Sequence, residues 1–365
     1  MGNKRINLIV DLIKMIMIIG IACLMVSGIV LAVSTMPGEA IRSFFLGPFE
    51  SLRRIGNIIE AATPLMFTAL AVIIIFRSGQ FSMISEGAFF LGACGGMIAG
   101  LNLNLPPVIH PIVVISSGAM LGMVAAGIPA VLKWLWGVSE LVTSIMLNYV
   151  CFFTALYIMN YHYRDPATTA FQSYELYPAS LLPVIIPGTR IHVGVAIALI
   201  LCVIVWFLLF RTKFGYKLRV TGDNQSFAKY AGIGAAGIMF LSQIVAGAIA
   251  GAGGAIELIG MYTRFRWSAL PGYGWTGIVV CLLARRNPLL VPLAACFIAY
   301  LNVGAGIMSR SSDMSSDMVL IIQAVMMLLV AADALLDGLR QRMIVKAAYT
   351  EAAEQSMKPE LQSGG

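Results

Sequence analysis

Charge is scarce in this chain. Of its 365 residues only 11% are Asp, Glu, Lys or Arg, while 59% are hydrophobic. Soluble domains carry about 25% charged residues and about 45–50% apolar ones. A surface built from this mixture would not stay in water, so a soluble enzyme is excluded and a bilayer is the solvent that fits. Metal-binding and redox signals are missing as well. The six cysteines (Cys23, Cys94, Cys151, Cys202, Cys281, Cys296) all sit inside apolar runs and form no CxxC pair. They read as small buried hydrophobes rather than disulfides or zinc ligands. Three histidines, His110, His162 and His192, are scattered through loops without metal spacing. No G-x-x-x-x-G-K-[ST] loop occurs, and Gly251–Gly254 lacks the Lys that holds phosphates. HExxH, GxSxG and a catalytic carboxylate pair are also missing. The chain is thus expected to catalyse no covalent chemistry and to bind no cofactor of its own. If ATP energises it, another subunit holds the nucleotide.

What the sequence has is apolar runs. A spanning helix needs about 20 apolar residues. Ten candidates follow one another: Met15–Val33, Thr63–Phe76, Gly87–Leu101, Ile112–Leu132, Leu141–Met159, Val193–Phe210, Ile238–Leu258, Gly274–Leu283, Leu289–Met308 and Met318–Leu336. The first reads as an uncleaved helix, because its core is too long for a signal peptide. Thr63–Phe76 and Gly274–Leu283 are too short to cross alone. The expected fold is all-α: a polytopic bundle of about ten transmembrane helices with broken helices and inverted-repeat character. It divides into an N-terminal helix and outer loop (1–62), a core of two repeat halves joined by the cytoplasmic segment 211–237 (63–336) and a cytoplasmic tail (337–365).

The net charge of +7 does not call for nucleic acid. With the N-terminus inside and helices alternating, 15 of the 24 Lys and Arg fall on the cytoplasmic side, including Arg77, Lys133, Lys213, Lys217, Arg285 and Arg286. Eight fall outside, nearly balanced by seven acids: Glu39, Glu50, Glu60, Asp165, Glu175, Asp313 and Asp317. The positive-inside rule then puts both termini in the cytoplasm. Small residues recur every fourth position at Gly92, Gly96 and Gly100, at Gly118 and Gly122, and at Gly247 and Gly251. This spacing predicts close helix packing in lipid, and it is compatible with a glycine-lined path.

Four segments look functional. Phe76–Gly87 and Pro271–Ile278 each join a helix to a Gly-interrupted apolar run, with opposite polarity in the two halves. Such a pair points to an inverted repeat with a pathway at its interface. Glu86 and Glu257 are ionisable groups within apolar segments, where each is costly and a functional candidate. Thr221–Ile233 lies in the basic segment 211–237. There Gly222 permits a turn, Asp223 or Asn224 can cap a short helix, and Gly232 can close it. That helix would present Phe227, Tyr230 and Ala231 to a partner groove. Finally, Gly137–Tyr149 carries Asn148 inside an apolar helix, where it either binds a ligand or bonds a neighbouring helix.

Taken together, Phe76–Gly87, Thr143–Tyr149, Gly222–Ile233 and Pro271–Val280 resemble permease subunits of ABC importers in the branched-chain amino acid/ribose permease superfamily, most of all the nucleoside branch that works with basic-membrane-protein-type lipoproteins. The resemblance covers roughly residues 60–336. It departs at Ser82 and Ile84, at Ala88 and at Trp275-Thr276, which leaves the cargo open. It implies a bacterial plasma-membrane permease subunit of an ATP-driven importer for nucleosides. Glu86, Asn148, Tyr273 and Trp275 would line the substrate pathway. Gly222, Asn224, Phe227, Tyr230 and Gly232 would couple it to a cytoplasmic ATPase that binds ATP-Mg. A second permease subunit and an extracellular binding lipoprotein would complete the assembly, in membrane lipid and without nucleic acid. Three readings compete: a ribose- or galactose-type sugar permease of the same superfamily, an ion-coupled secondary transporter, and a structural membrane protein, against which the broken helices count.

Overall fold

The computed structural model describes residues 34 and 36–312, together with residues 20, 24, 25, 27, 28, 30, 31, 321, 324, 325 and 328. The candidates Met15–Val33 and Met318–Leu336, the tail from 337, Asp313 and Asp317 lie wholly or mostly outside these residues. Among the described residues the fold is all-helical; its only β pairings are the bridges Arg164–Ser173 and Val184–His192.

Between residues 37 and 311 eleven α-helices follow in order: α1 (Pro37–Phe45), α2 (Leu52–Arg77), α3 (Ser85–Asn102), α4 (Ile109–Trp136), α5 (Glu140–Ile158), α6 (Gly194–Arg211), α7 (Lys213–Asp223), α8 (Gln225–Tyr230), α9 (Ala235–Met261), α10 (Tyr273–Leu283) and α11 (Val291–Ser311). Among the described residues six of them, counting flanking turns, are long and apolar enough to span: α2, α4, α5, α6, α9 and α11. Eight of the ten expected spans fall on described residues. The glycine-rich α3 and the short α10 do not qualify.

The largest departure concerns α2. Thr63–Phe76 looked too short to cross, yet α2 has 26 residues and would reach about 39 Å. Arg53, Arg54, Asn57 and Glu60 had interrupted the apolar count. The helix nevertheless starts at Leu52, where the Ser51 hydroxyl accepts the Arg54 N–H at 3.2 Å. Arg54 also donates to the Gly47 carbonyl and pairs with Glu50. Glu60, expected in an outer loop, instead lies inside α2 and is 7% exposed. The boundary drawn between residues 62 and 63 falls within this helix. Only one of the two expected half-length segments is therefore short. The 11 residues of α10 span about 16 Å, roughly half the hydrocarbon.

Helices α3, α4 and α9 cross along a glycine seam. A Cβ at Gly92 would collide with the Gly251 backbone, one at Gly122 with the Gly247 carbonyl, and one at Gly118 would lie 2.8 Å from the Gly251 carbonyl. In lipid no hydrophobic effect drives helices together, so backbone approach and dispersion supply the attraction. The four-residue glycine spacing is thus a packing device. Helix α2 fills the centre, with every residue from Ala62 to Ile75 buried.

Basic residues collect at one end of the bundle. Arg77 donates to the Arg286 carbonyl at 3.3 and 3.1 Å, and its guanidinium lies 5.6 Å from the Phe210 ring. Arg219 stacks on the same ring, and Lys133 pairs with Glu140 at 2.7 Å. At the opposite end the long 160–193 connection folds onto the strand-like segment after α9. Ser173 N–H donates to Phe265 O and Leu176 N–H to Thr263 O, both at 2.9 Å. Arg264 clasps Asp165 at 2.6 Å and Glu175 at 3.3 Å.

Candidate transport site

The two Gly-interrupted motifs meet inside the bundle. Helix α10 begins at Gly272, whose φ of +78° suits glycine, and no side chain of its own segment caps it. Its first amides would be left without partners in a membrane interior, where each such group costs several kcal/mol. Glu86, in the first turn of α3, supplies the missing cap. One carboxylate oxygen accepts the Gly272 N–H at 2.7 Å and the other accepts the Gly274 N–H. A carboxylate at a helix N-terminus also meets the positive end of its dipole. Gly274 permits the approach, because a Cβ there would lie 2.5 Å from the Glu86 nitrogen. Glu86 is 1% exposed, so both oxygens are committed to the clamp.

Asn148 does the same work on the other flank of α3. Its Oδ1 accepts the Gly87 N–H at 2.9 Å, and its Nδ2 donates to the Met83 carbonyl at 2.9 Å. Of the two roles open to it, the structure shows the bond to a neighbouring segment. Ser144, one turn earlier, accepts the Met83 N–H at 3.0 Å, and Glu140 accepts the Phe81 N–H at 3.3 Å. One face of α5 thus satisfies the open backbone of residues 81–87. Nothing in Thr143–Tyr149 shows from sequence which segment this face would meet.

Tyr273 sits at the mouth of α10. Its carbonyl accepts the Thr68 hydroxyl at 2.9 Å, and its ring meets Phe89 edge-on at 5.2 Å. Trp275, next in the same turn, is about half exposed. Glu86, Tyr273 and Trp275 are therefore neighbours around one half-helix N-terminus, whereas Asn148 stands behind α3.

At the basic end, Asn224 caps α8 by accepting the Phe227 N–H at 3.0 Å. Gly232 closes the turn at φ +74°, and the Ile233 N–H returns to Ala228 O at 2.9 Å. Phe227 and Tyr230 project into the open, Tyr230 being 92% exposed. Gly222 departs from expectation. It makes no turn but lies within α7, pressed against the motif loop: a Cβ there would strike the Arg77 carbonyl and lie 2.9 Å from the Gly79 nitrogen. Gly79, at φ +76°, is its counterpart. The same loop is pinned to α9 by Gln80, which donates to Ser242 Oγ at 3.3 Å and accepts from Gln243. Sequence reasoning missed Ser78, Gln80, Ser242 and Gln243; polar residues at a helix end carry no signal of their partners.

The far-end connection also holds two perturbed groups. The Arg264 hydrogen bond holds the Asp165 carboxyl below its usual range. Burial pushes His192 down from 6.5 to about 4. Its Nδ1 accepts the Gly194 N–H at 3.1 Å, which requires the neutral ring. No group of three or more His, Cys, Asp or Glu residues able to hold a metal occurs among the described residues.

Spanning helices, a half-length helix capped from across the bundle and a short exposed helix joined to the same motif define a multi-pass membrane permease. A family model described as "Branched-chain amino acid transport system / permease component" matches residues 54–331, and the chain belongs to that family. It is 32% identical over 291 residues to a guanosine ABC transporter permease protein of Bacillus subtilis, covering 78% of this chain and 83% of that protein. It is 31% identical over 323 residues to a glucose ABC transporter permease protein of Haloferax volcanii, covering 84% of each. A nucleoside ABC transporter permease protein of Lactococcus lactis is 26% identical over 368 residues, covering 98% of this chain and 99% of that protein.

Proposed function

We propose that this chain is the membrane-spanning subunit of an ATP-driven importer whose cargo is a nucleoside. The observation that carries the reading is the continuous path from α8 to the half-helix. The exposed α8 follows α7, α7 abuts the motif loop at Gly222 and Gly79, and that loop leads into Glu86, which caps α10. A push on α8 therefore has a packed route to the mid-bundle clamp. Coupling of this kind needs only different contacts in two states.

In this reading the basic end faces the cytoplasm, with both termini there. A cytoplasmic ATPase binds ATP-Mg and docks on Phe227 and Tyr230. A second permease subunit, alike or different, completes the pathway, and a binding lipoprotein delivers cargo to the 160–193 end. Tyr273 and Trp275 offer aromatic faces to a neutral base. Glu86 and Asn148 hold the shape of the pathway, since their polar atoms are engaged with backbone. The relatives named for guanosine and nucleosides support the cargo class.

A sugar is the second reading, favoured by the relative named for glucose. Uptake of labelled guanosine by cells that have no other nucleoside importer, with unlabelled guanosine, ribose or glucose as competitors, separates the two. Competition by guanosine alone is expected. Competition by a free sugar alone would overturn the nucleoside reading. An ion-coupled carrier predicts instead that this chain transports alone and that an uncoupler stops it.

A further inference from the structure

Two carboxylates in the core remain without a role in the clamp. Glu60 on α2 and Glu257 on α9 are 7% and 3% exposed. The two helices pack closely, since a Cβ at Gly253, one turn before Glu257, would lie 2.8 Å from the Phe67 ring. Phe67 lies two turns after Glu60, and at the end away from Arg77 both helices meet the 160–193 connection, Gly56 at Thr189 and Gly260 at His192, so the two acids sit on facing sides of α2 and α9 toward that end. The Tyr273 ring packs edge-on against Phe89, whose carbonyl abuts Gly254, about one turn before Glu257. Neither carboxylate is in a salt bridge among the described residues, and Glu257 Oε2 has no hydrogen-bond partner there. An acid held inside a bilayer without a cation is costly and is retained for a reason. The backbone adds a third acceptor. Pro64 lies inside α2 and has no N–H to give the Glu60 carbonyl one turn earlier.

A cavity lies at the far end of the bundle, about one turn beyond the two acids. It has a volume of about 340 Å³ and is lined by Thr189, Arg190, Gly260, Tyr262 and Arg266 among others. That is within the range of small-molecule sites, about 300–1,000 Å³. Its lining neighbours the acids along both helices: Thr189 and Arg190 lie against Gly56, one turn before Glu60, and Gly260 comes three residues after Glu257. The Arg266 guanidinium stacks 4.4 Å from the Tyr262 ring. Two turns after Glu60, Thr68 donates to the carbonyl of Tyr273, the first residue of the half-helix. The cavity wall at Gly56, the acid Glu60 and the Tyr273 contact at Thr68 therefore follow one another along α2.

We infer that Glu60 and Glu257, with Tyr273, form the subsite that recognises vicinal hydroxyls of the cargo, the 2′ and 3′ hydroxyls of a nucleoside's ribose. A carboxylate accepts two adjacent O–H donors, and a diol gives a buried acid the donors it lacks without adding charge. Apolar or deoxygenated analogues would leave those oxygens unsatisfied, which is how a polar site rejects them. This inference rests on the nucleoside reading above.

The test is competition for labelled guanosine uptake by the complete importer, comparing unlabelled guanosine with 2′,3′-dideoxyguanosine. Keeping the same binding protein throughout cancels its own selectivity. The wild type, Glu60→Gln, Glu257→Gln and the surface reference Glu50→Gln are compared at equal membrane abundance, with monodispersity after extraction as the folding control. Glu257→Gln and Glu60→Gln should each shrink the preference for guanosine over its dideoxy analogue about tenfold, the size of one charge-assisted hydrogen bond. Glu50→Gln should leave it unchanged. An unaltered preference in both buried variants overturns the subsite and leaves the nucleoside reading standing. Absence of any guanosine uptake by the wild type overturns both.

Discussion

Replacing Glu86 by Gln removes the clamp while nearly preserving its shape. The carboxylate accepts two backbone N–H groups, from Gly272 and Gly274, at the start of α10. The amide keeps one acceptor oxygen and turns an NH₂ toward the other N–H, so one bond is lost and two donors face each other. A hydrogen bond to a charged group contributes about 1.5–3 kcal/mol, and a buried orphan N–H costs about 1–3 kcal/mol. Loss of the negative charge from the helix N-terminus adds about 0.3–1 kcal/mol. These effects overlap, and a net destabilisation of about 3 kcal/mol follows. For a chain of this size that corresponds to a fall in Tm of roughly 5 °C. The assay is thermal aggregation of the detergent-extracted protein, followed by size-exclusion chromatography, alongside guanosine uptake at matched abundance. Both should fall. A Tm within about 1 °C of wild type would refute the idea that this carboxylate caps α10.

Other perturbations test the remaining links. Gly222→Ala would drive a methyl into the Arg77 carbonyl and toward Gly79; uptake per ATP hydrolysed should drop at least tenfold while the protein still reaches the membrane. Asn224→Ala removes the cap of α8; at a cost of about 1 kcal/mol, tryptic cleavage at Lys229 should quicken in inside-out vesicles. His192 is held neutral, at about 4 against an ordinary 6.5. The folded protein then binds fewer protons than the unfolded one, so stability is full above pH 6.5 and declines as pH falls toward 4, by up to about 3 kcal/mol. A Tm measured from pH 7.5 to 5 should decline, and the decline should be smaller in His192→Gln.

Much of the architecture is legible in the sequence because lipid imposes simple rules. Apolar runs placed α4, α5, α6, α9 and α11 to within a few residues, and glycine spacing foretold the seam of α3, α4 and α9. Local chemistry was legible too: Asn224 caps α8 and Gly232 closes it, because capping depends on residues three or four apart. Long-range polar matches were not. Glu86 was visible as a costly acid, but its partners are backbone amides 186 and 188 residues away, which no side-chain pattern announces. Glu60 was hidden for the opposite reason. It follows Arg53, Arg54 and Asn57, so an apolar count began the helix at Thr63, eleven residues after its start at Leu52. Gly222 read as a turn because glycine favours turns; its use here is closeness, which depends on what lies opposite.

ATP-dependent uptake tests the central claim most directly. The chain, with its partner permease, ATPase and binding lipoprotein, is reconstituted in proteoliposomes, and entry of labelled guanosine is followed with and without ATP on the ATPase side. Accumulation is expected only with ATP, unaffected by an uncoupler and abolished when Phe227 and Tyr230 are both replaced by Ala. Guanosine accumulation by this chain alone, driven by an ion gradient and collapsed by the uncoupler, would contradict it.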